Sequence, residues 1–387
     1  MATADVLVVG GGLHGCSAAL HCARNGLSVI VVEKDTVGRH ASGVNAGGVR
    51  RLGRAIAEIP LSLAAMEIWH RIADLVDDDC GFRPAPQIKV AETDTQMQAL
   101  ADRAAMLRDL GYAHETVLDR DELFRLLPAV SQHCVGGLAS LGDGFADPYR
   151  TTAAFRRKAE RLGVRVLEGC AALGVEVRQG GFRLRTAGGP LDGGILVNCG
   201  GAWAGAIAAQ LGEPVPVEPI APMMLVTSRL PPFCRAVVGA AGRPLSFKQM
   251  DNGTVVIGGG RRGTIDAGGN ATRLRLGELA KTARTASEIF PIVGRAEIVR
   301  GWAGIEGRMP DDLPVIGPSS TTDGAYHAFG FSAHGFQLGP VVGSALADLI
   351  VGRRPDLPLA PFRIGRFSAS IASTAPGGAP PPTDRCV

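Results

Sequence analysis

Val6-Leu7-Val8-Val9-Gly10-Gly11-Gly12-Leu13-His14-Gly15 is the stretch that decides the fold of this 387-residue chain. Its apolar start is typical of a buried parallel strand, and the helical pattern Cys16–Arg24 follows its last glycine. A second apolar strand, Ser28–Val32, ends at Glu33. Glycines between a strand and a helix let a pyrophosphate approach backbone N–H groups, and an acid after the second strand can accept from ribose hydroxyls. The pattern predicts a dinucleotide site, and because Glu33 would repel a 2′-phosphate it disfavours NADP.

Two further glycine-rich segments bear on the choice between NAD and FAD. Ala41-Ser42-Gly43-Val44-Asn45-Ala46-Gly47-Gly48-Val49-Arg50 is too long for an ordinary turn. Gly330-Phe331-Ser332-Ala333-His334-Gly335-Phe336-Gln337 again opens a helical stretch. Three such segments suit a ligand with a pyrophosphate, a ribityl chain and a tricyclic ring, whereas NAD normally needs only the first. The sequence therefore favours FAD.

The composition excludes several classes of protein. With 46% apolar and 20% charged residues, the chain is typical of a globular protein and not of a disordered chain or a coiled coil. Its length exceeds the size at which single cores stop growing, so we expect two domains. The net charge is only +3, and the basic run over residues 156–165 is typical of a solvated helix face. Without an aromatic–basic stripe, the sequence argues against a nucleic-acid partner.

The cysteine pattern and the terminal segments indicate a cytoplasmic location. The eight cysteines form no C-x-x-C pair, and the histidines show no metal-ligand spacing, so we expect reduced thiols and no metal. Met1 leads directly into a strand without a secretion signal, and no apolar run reaches the ~18 residues of a membrane span. Residues 368–387, rich in Ser, Ala, Pro and Gly, are predicted to be a disordered tail.

The order of these motifs resembles the flavin-dependent D-amino-acid oxidase superfamily, in the branch of glycine oxidase, sarcosine oxidase and the opine oxidase subunits. The resemblance covers about residues 4–367. Its motifs are VVGGGLHGCSAALHCARNGLSVIVVEK at 8–34, ASGVNAGGVR at 41–50, DGFADPYR at 143–150, LVNCGGAWAG at 196–205, WAGIEGRMPDDLPVIGPS at 302–319 and GFSAHGFQLGP at 330–340.

The resemblance implies an FAD site assembled from distant parts of the chain. Its adenosine and pyrophosphate end would include Gly10, Gly12, Leu13, His14, Gly15, Glu33, Lys34, Ala172, Gly200, Gly201 and Trp203. Its ribityl and ring end would include Ala41, Ser42, Asn45, Ala46, Gly47, Gly330, His334, Gly335, Phe336 and Gln337. The helix after this last loop can stabilise negative charge on the reduced ring.

Three departures from the family pattern qualify these implications. Some sarcosine oxidases attach their flavin to a cysteine that residues 300–312 lack, so we expect non-covalent FAD, with His40 as the one exception to consider. Some relatives carry a lysine near position 256 that assists oxygen, where this chain has Val256. Glycine oxidases tend to carry a carboxylate-binding arginine near position 306, where this chain has Glu306. The electron acceptor and the simple-amino-acid substrate therefore stay open.

Four residues are candidates for the catalytic site. Arg50 follows the flavin segment at the position of a carboxylate-binding arginine in the sarcosine oxidase type, and a guanidinium is the natural bidentate partner of a carboxylate. Arg308 and Lys248 are further candidates, although residues of these types more often lie on the surface than in a site. His334 can act as a base on general grounds, or pack against the flavin.

The sequence predicts an α/β (α+β) fold, in which a Rossmann-like FAD-binding domain adjoins a mostly antiparallel β substrate-binding domain. The FAD-binding domain is expected over 1–85, 145–213 and 319–367, and the substrate-binding domain over 86–144 and 214–318. A helix is expected from Gly53 to about Ile88.

The resemblance implies an FAD-dependent oxidase or dehydrogenase that oxidises the C–N bond of an amino acid, and the expected substrate carries a secondary amine of the N-carboxymethyl, sarcosine or opine type. Its acceptor would be oxygen, or a quinone or flavoprotein, and it would work as a homo-oligomer or within a heteromeric complex. The alternatives are a flavoprotein subunit of an electron-transferring dehydrogenase and a tRNA-modifying flavoenzyme.

Overall fold

A computed structural model describes residues 2–266 and 268–367 of the chain. Two eight-stranded sheets dominate this part, the first mostly parallel and the second mostly antiparallel. The predicted fold class is therefore confirmed. The expected tail over 368–387 lies outside the described residues.

Strands and helices occur throughout the described residues. In chain order the strands are β1 (Ala2–Val9), β2 (Val29–Val32), β3 (Gly48–Val49), β4 (Arg83–Pro84), β5 (Gln87–Ala91), β6 (Thr116–Leu118), β7 (Gly136–Ser140), β8 (Gly144–Phe145), β9 (Arg165–Leu167), β10 (Ala172–Arg178), β11 (Gly181–Thr186), β12 (Leu191–Asn198), β13 (Glu218–Ile220), β14 (Met223–Thr227), β15 (Val237–Ala240), β16 (Ser246–Gln249), β17 (Val255–Gly258), β18 (Thr264–Ile265), β19 (Thr272–Arg273), β20 (Ile298–Ala303), β21 (Glu306–Arg308), β22 (Val315–Pro318) and β23 (Ala325–Phe329). The helices are α1 (Leu13–Arg24), α2 (Ala41–Val44), α3 (Ile59–Trp69), α4 (Ile72–Val76), α5 (Asp94–Asp109), α6 (Arg120–Leu126), α7 (Pro148–Arg161), α8 (Ala204–Gln210), α9 (Leu276–Ile289) and α10 (Gly335–Ile350).

The first sheet has the strand order β10-β11-β12-β1-β2-β9, with β23 beside β12 and β22 beside β23. The parallel register pairs Val6 with Val29 and with Ile195. Alternate residues of β1 pack in two hydrophobic clusters on opposite faces of the sheet. Val8 packs with α1, α7 and α10, whereas Leu7 packs with α8 and β11. Both faces of this sheet are therefore covered, as apolar parallel strands require.

The second sheet has the order β20-β14-β17-β16-β15-β5-β7-β6. Phe247, Ile257 and Val238 point to one face, where α9 and α6 complete a core. Because side chains alternate along a strand, the residues next to these three on each strand point to the opposite face of the sheet. We call this opposite face the site face and define it by Gln87, Lys89, Lys248, Val256 and Trp302.

The structure corrects the expected helix from Gly53 to Ile88. Helical structure ends at Val76, because Asp77 adopts a left-handed conformation with φ 56° and the prolines Pro84 and Pro86 prevent a further helix. Residues 87–91 form β5 in the centre of the second sheet instead. The domain boundaries stay a prediction, although β22 joins the first sheet four residues before the expected boundary at 319.

The seven cysteines in the described ranges are free and buried. Burial raises the pKa of Cys16 and Cys22 to about 12, so both are thiols at neutral pH. Across residues 2–266 and 268–367, every helix is too short or too polar to cross a bilayer.

Candidate functional site

The carboxyl edge of the first sheet brings together the loops that the sequence singled out. Gly10 follows β1, Glu33 follows β2, Cys199 follows β12 and Gly330 follows β23. These strands are parallel, so the loops after them meet at one edge. Ligands of open α/β sheets bind in the crevice outside this edge.

The first glycine loop has the close contacts that a pyrophosphate site requires. Gly10 has φ +103°, and a Cβ added at Gly12 would lie 2.9 Å from the Ser42 hydroxyl. The N–H of Leu13 donates to that hydroxyl at 2.9 Å, which joins the first loop to the segment 41–50. Helix α1 has a glycine, Gly12, as its N-cap and no acidic residue in its first turn, so its N-terminus suits phosphate groups. The residues present fit a dinucleotide.

The His14 side chain connects the first glycine loop to the third glycine loop, which comprises residues 330–337. Its ring stacks on Phe331 with centroids 3.6 Å apart, and burial lowers its pKa to about 3, so the imidazole is neutral. Gly15 lies against Gly10, where a side chain would collide with the backbone carbonyl, and Gly335 lies against His14. A Cβ added at Gly335 would lie 2.9 Å from the His14 ring.

Glu33 lies at the predicted ribose position and is nearly buried. Its carboxylate accepts the N–H of Gly11 at 2.7 Å and of Asp35 at 2.8 Å. The N–H of Cys170 donates to the Glu33 carbonyl, which places the segment leading to Ala172 alongside. Ala172 itself begins β10 and is half-buried.

Lys34 and Trp203 form one cluster beside Glu33. The Lys34 ammonium lies 4.0 Å above the Trp203 ring and donates to Asp35 at 2.6 Å. His40 also pairs with Asp35, and its ring lies 4.7 Å from that of Trp203. The loop containing Gly200 and Gly201 lies against Gly10, because a Cβ on Gly10 would lie 3.3 Å from Gly200 Cα. The structure thus brings together residues that were predicted for the adenosine end.

The segment 41–50 contains short regular elements where a loop was expected, namely α2 and β3. Asn45 closes the turn between them, since its side chain donates to the Ala41 carbonyl at 2.9 Å and accepts from the Gly47 N–H at 2.7 Å. Ala46 is half-buried beside them, and Gly47 has φ +68°. Strand β3 then pairs with β8.

The third loop is clamped in an unusual conformation. Ser332 and Ala333 both have positive φ, 49° and 68°, which is rare outside glycine. Ser332 Oγ accepts from the Met309 N–H at 3.1 Å, and the Ala333 N–H donates to the Glu306 carboxylate. Phe336 packs on Trp69 with ring centroids 5.3 Å apart.

Sequence reasoning missed a buried polar network behind this loop. Arg54, 1% exposed, donates to the Gln337 side chain at 3.0 Å and to the His334 carbonyl at 3.2 Å. Glu58, 0% exposed, pairs with His334 Nδ1 at 2.8 Å. Burial lowers the pKa of His334, and Glu58 opposes that effect. Gln337 also bonds with Ser62, so its side chain serves this network.

The site face of the second sheet lies against the segment 41–50. Trp302 Nε1 donates to the Val44 carbonyl at 2.8 Å, and Lys248 Nζ lies 4.4 Å from the centre of the Phe145 ring. A Cβ added at Gly47 would lie 3.2 Å from Lys248 Nζ. The two sheets therefore approach each other at the segment 41–50, which is predicted to lie along the flavin.

The candidate cations separate into paired and unpaired groups. Arg308 is bound by Asp312 at 2.6 Å and by Glu218 at 3.4 Å, and the neighbouring arginines Arg51, Arg261 and Arg262 are also paired with carboxylates. Within residues 2–266 and 268–367, neither Arg50 nor Lys248 forms an ion pair; Arg50 donates to the Leu52 carbonyl. Lys248 is 6% exposed, and burial lowers its pKa to about 8.

Comparisons with known proteins agree with this geometry. Residues 5–349 match the family model described as FAD dependent oxidoreductase. The chain is 27% identical to hydrogen cyanide synthase subunit HcnC of Pseudomonas aeruginosa, over 96% of this chain and 98% of that protein. It is 25% identical to glycine oxidase of Geobacillus kaustophilus, over 95% and 98%, and 25% identical to sarcosine oxidase subunit beta of Rhizobium meliloti, over 94% and 88%. The crystal structure of the Geobacillus glycine oxidase has a TM-score of 0.87 at 24% identity, covering 95% of this chain and 99% of that one.

Glycine loops that fit a dinucleotide at the carboxyl edge of one sheet, with a second sheet in contact with the segment 41–50, are typical of enzymes that use a nucleotide cofactor. The match over residues 5–349 is specific enough to assign the family. This chain belongs to the FAD dependent oxidoreductase family, and FAD is its cofactor.

Proposed function

We propose that the protein oxidises the C–N bond of an amino acid that carries a secondary amine, of the N-carboxymethyl, sarcosine-like or opine-like type. Non-covalently bound FAD would accept a hydride from the carbon beside nitrogen. Water then hydrolyses the resulting imine to an amine and an oxo acid. The reaction would take place in the cytoplasm.

The observation that carries this proposal is a pair of cations without ion-pair partners among the described residues, one buried (Lys248) and one half-buried (Arg50). Arg50 and Lys248 lie at the segment 41–50, and Lys248 belongs to the site face above it. A buried charge is costly unless it meets an opposite charge, so both residues suit an anionic ligand. The carboxylate of an amino acid supplies that charge.

These residues would each have a separate task. The Arg50 guanidinium can bind a carboxylate through two parallel hydrogen bonds, which fixes the orientation of the substrate. Lys248 contributes a point charge without directional preference. Trp302 donates a hydrogen bond to the Val44 carbonyl and so holds the site face against the same segment. Orientation of this kind is a large part of what a protein adds to flavin chemistry.

The relatives support amine oxidation and leave two acceptors. Glycine oxidase and the sarcosine oxidase subunit are named for amino acid oxidation, which supports the proposed substrate class. The names of HcnC and the sarcosine oxidase subunit also describe subunits. Together with Val256 on the site face, they favour the second candidate, a flavoprotein subunit that passes electrons to a quinone or another flavoprotein.

The test is anaerobic reduction of the bound flavin by a panel of N-substituted and primary amino acids. We expect bleaching by at least one N-substituted amino acid, and slower bleaching in Arg50→Lys, which keeps the charge but loses the planar fork. Arg39→Lys is the matched control, because Arg39 is an exposed arginine beside Asp35. Admission of air then separates the acceptors, since an oxidase recovers its colour rapidly. A panel that leaves the flavin oxidised would refute the proposal.

A further inference from the structure

Glu306 is a half-buried carboxylate to which the assignments above give no role toward the substrate. It begins β21, and its neighbour Ile305 accepts from the Ala41 N–H at 3.2 Å. Its own carboxylate accepts from the Ala333 N–H. Glu306 therefore lies between the segment 41–50 and the third glycine loop, the two parts of the chain predicted to contact the flavin ring.

The charges around Glu306 are satisfied by one another and leave its carboxylate unpaired. On β13, Glu218 binds Arg262 at 3.0 Å and Arg308 at 3.4 Å. Arg308, on Glu306's own strand, is also bound by Asp312. On the third loop, His334 pairs with Glu58. Glu306 forms no ion pair with any residue in 2–266 or 268–367, and its second oxygen accepts no hydrogen bond there.

Burial raises the pKa of Glu306 to about 7, and the Ala333 hydrogen bond and the charge of Arg262 only partly oppose that effect. A carboxyl group with such a pKa can take up or release a proton near neutral pH. General bases work best when their pKa lies near the working pH. The geometry and the titration are thus both suited to proton transfer.

Amine oxidation requires the neutral amine, and a base with this pKa would supply it near neutral pH. A secondary ammonium ion has a pKa of ~10, similar to that of a lysine side chain, so ~0.1% is free amine at pH 7. The hydride can leave carbon only when the nitrogen lone pair is available to form the C=N bond.

We propose that Glu306 is a catalytic base that accepts the proton of the substrate ammonium group. The N–H bond breaks, its electron pair stays on nitrogen, and the proton forms an O–H bond on Glu306. The lone pair is then available to form the C=N bond, and bound FAD would accept the hydride that leaves carbon. This inference rests on the proposed function.

The test compares the pH dependence of flavin reduction in the FAD-loaded parent and in Glu306→Gln, at limiting substrate and without oxygen. Gln can still accept from the Ala333 N–H, so the loop contact is kept. We expect the parent rate to rise through about pH 7 as Glu306 ionises. The variant should be ~10²–10³-fold slower at pH 7. Its rate should rise tenfold per pH unit and approach the parent rate near the pKa of the substrate amine.

Two further variants complete the test. Glu306→Asp should recover part of the rate at pH 7, because it keeps a carboxylate. Glu218→Gln, which changes a neighbouring carboxylate that is half exposed, should keep the parent profile.

Each outcome decides a separate point. Parallel profiles for the parent and Glu306→Gln overturn the catalytic role, as does loss of FAD from both Glu306 variants, which would make Glu306 a cofactor-loop residue. A parent that no amine reduces refutes the proposed function itself, and the role of Glu306 with it.

Discussion

Replacement of Lys248 by Met should make the protein more stable in the absence of FAD and substrate. The side chain is 6% exposed and has no carboxylate partner among the described residues, so its charge is a cost in the folded state. Burial lowers its pKa from the ordinary 10.5 to about 8. Each pKa unit corresponds to ~1.4 kcal/mol, so the full penalty is ~3 kcal/mol.

The sign of this effect depends on pH in a defined window. Between pH 8 and 10.5 the unfolded chain binds the Lys248 proton more tightly than the folded protein, so the free energy of unfolding of the parent rises with pH there. Below pH 8 the penalty is fully present. Lys248→Met, of similar length and without charge, should therefore raise the free energy of unfolding by ~2–3 kcal/mol at pH 7 and by little above pH 10.

Denaturant unfolding of FAD-free protein at both pH values measures this difference. Lys281→Met is the matched control, because Lys281 is exposed and its pairing with Glu278 is worth at most ~1 kcal/mol at either pH. A Lys248→Met variant that is less stable than the parent at pH 7 would refute the reasoning. So would a gain in stability that persists unchanged above pH 10.

Three other substitutions have expected outcomes. Arg50→Ala should raise the activation free energy of flavin reduction, taken from the second-order rate constant, by ~2–4 kcal/mol, while FAD stays bound. Anaerobic stopped flow measures this rate constant, and an unchanged value would place the substrate carboxylate elsewhere. Glu33→Ala should weaken FAD binding by ~1–3 kcal/mol, measured by titrating apoprotein with FAD, with little change in reduction rate at saturating FAD. Arg54→Met removes the guanidinium that lies 3.9 Å from the buried Glu58 carboxylate, and should lower the free energy of unfolding by ~3–5 kcal/mol in denaturant melts. A variant as stable as the parent would contradict the assigned network.

The fold and the convergence of the first glycine loop with Glu33 were predictable because their signals are local. The glycine loop after β1 and Glu33 after β2 occupy fixed positions relative to strand ends. Parallel strands bring such positions to one edge whatever the intervening sequence. The Lys34 and Trp203 cluster was accessible only through the family resemblance, because its members are far apart in the chain.

The buried network and the separation of the arginines were not predictable. Arg54 donates to the carbonyl of His334, which is 280 residues away in the sequence. Arg308 pairs with Glu218, which is 90 residues away. The one available signal was an arginine and a glutamate four residues apart, Arg54 and Glu58, leading into an apolar helix. The same apolar pattern led to the incorrect extension of the helix beyond Val76, where Asp77 and the two prolines decide the outcome.

A single-turnover experiment tests the central claim most directly. Purified protein, freed of oxygen, is mixed with one equivalent of the N-substituted amino acid that reduces it fastest, and the flavin band, the amine and the oxo acid are measured together. The account predicts loss of the flavin band with one amine and one oxo acid formed per flavin, and release of intact FAD into the supernatant after acid precipitation. Flavin that dithionite reduces but no N-substituted amino acid reduces would contradict it.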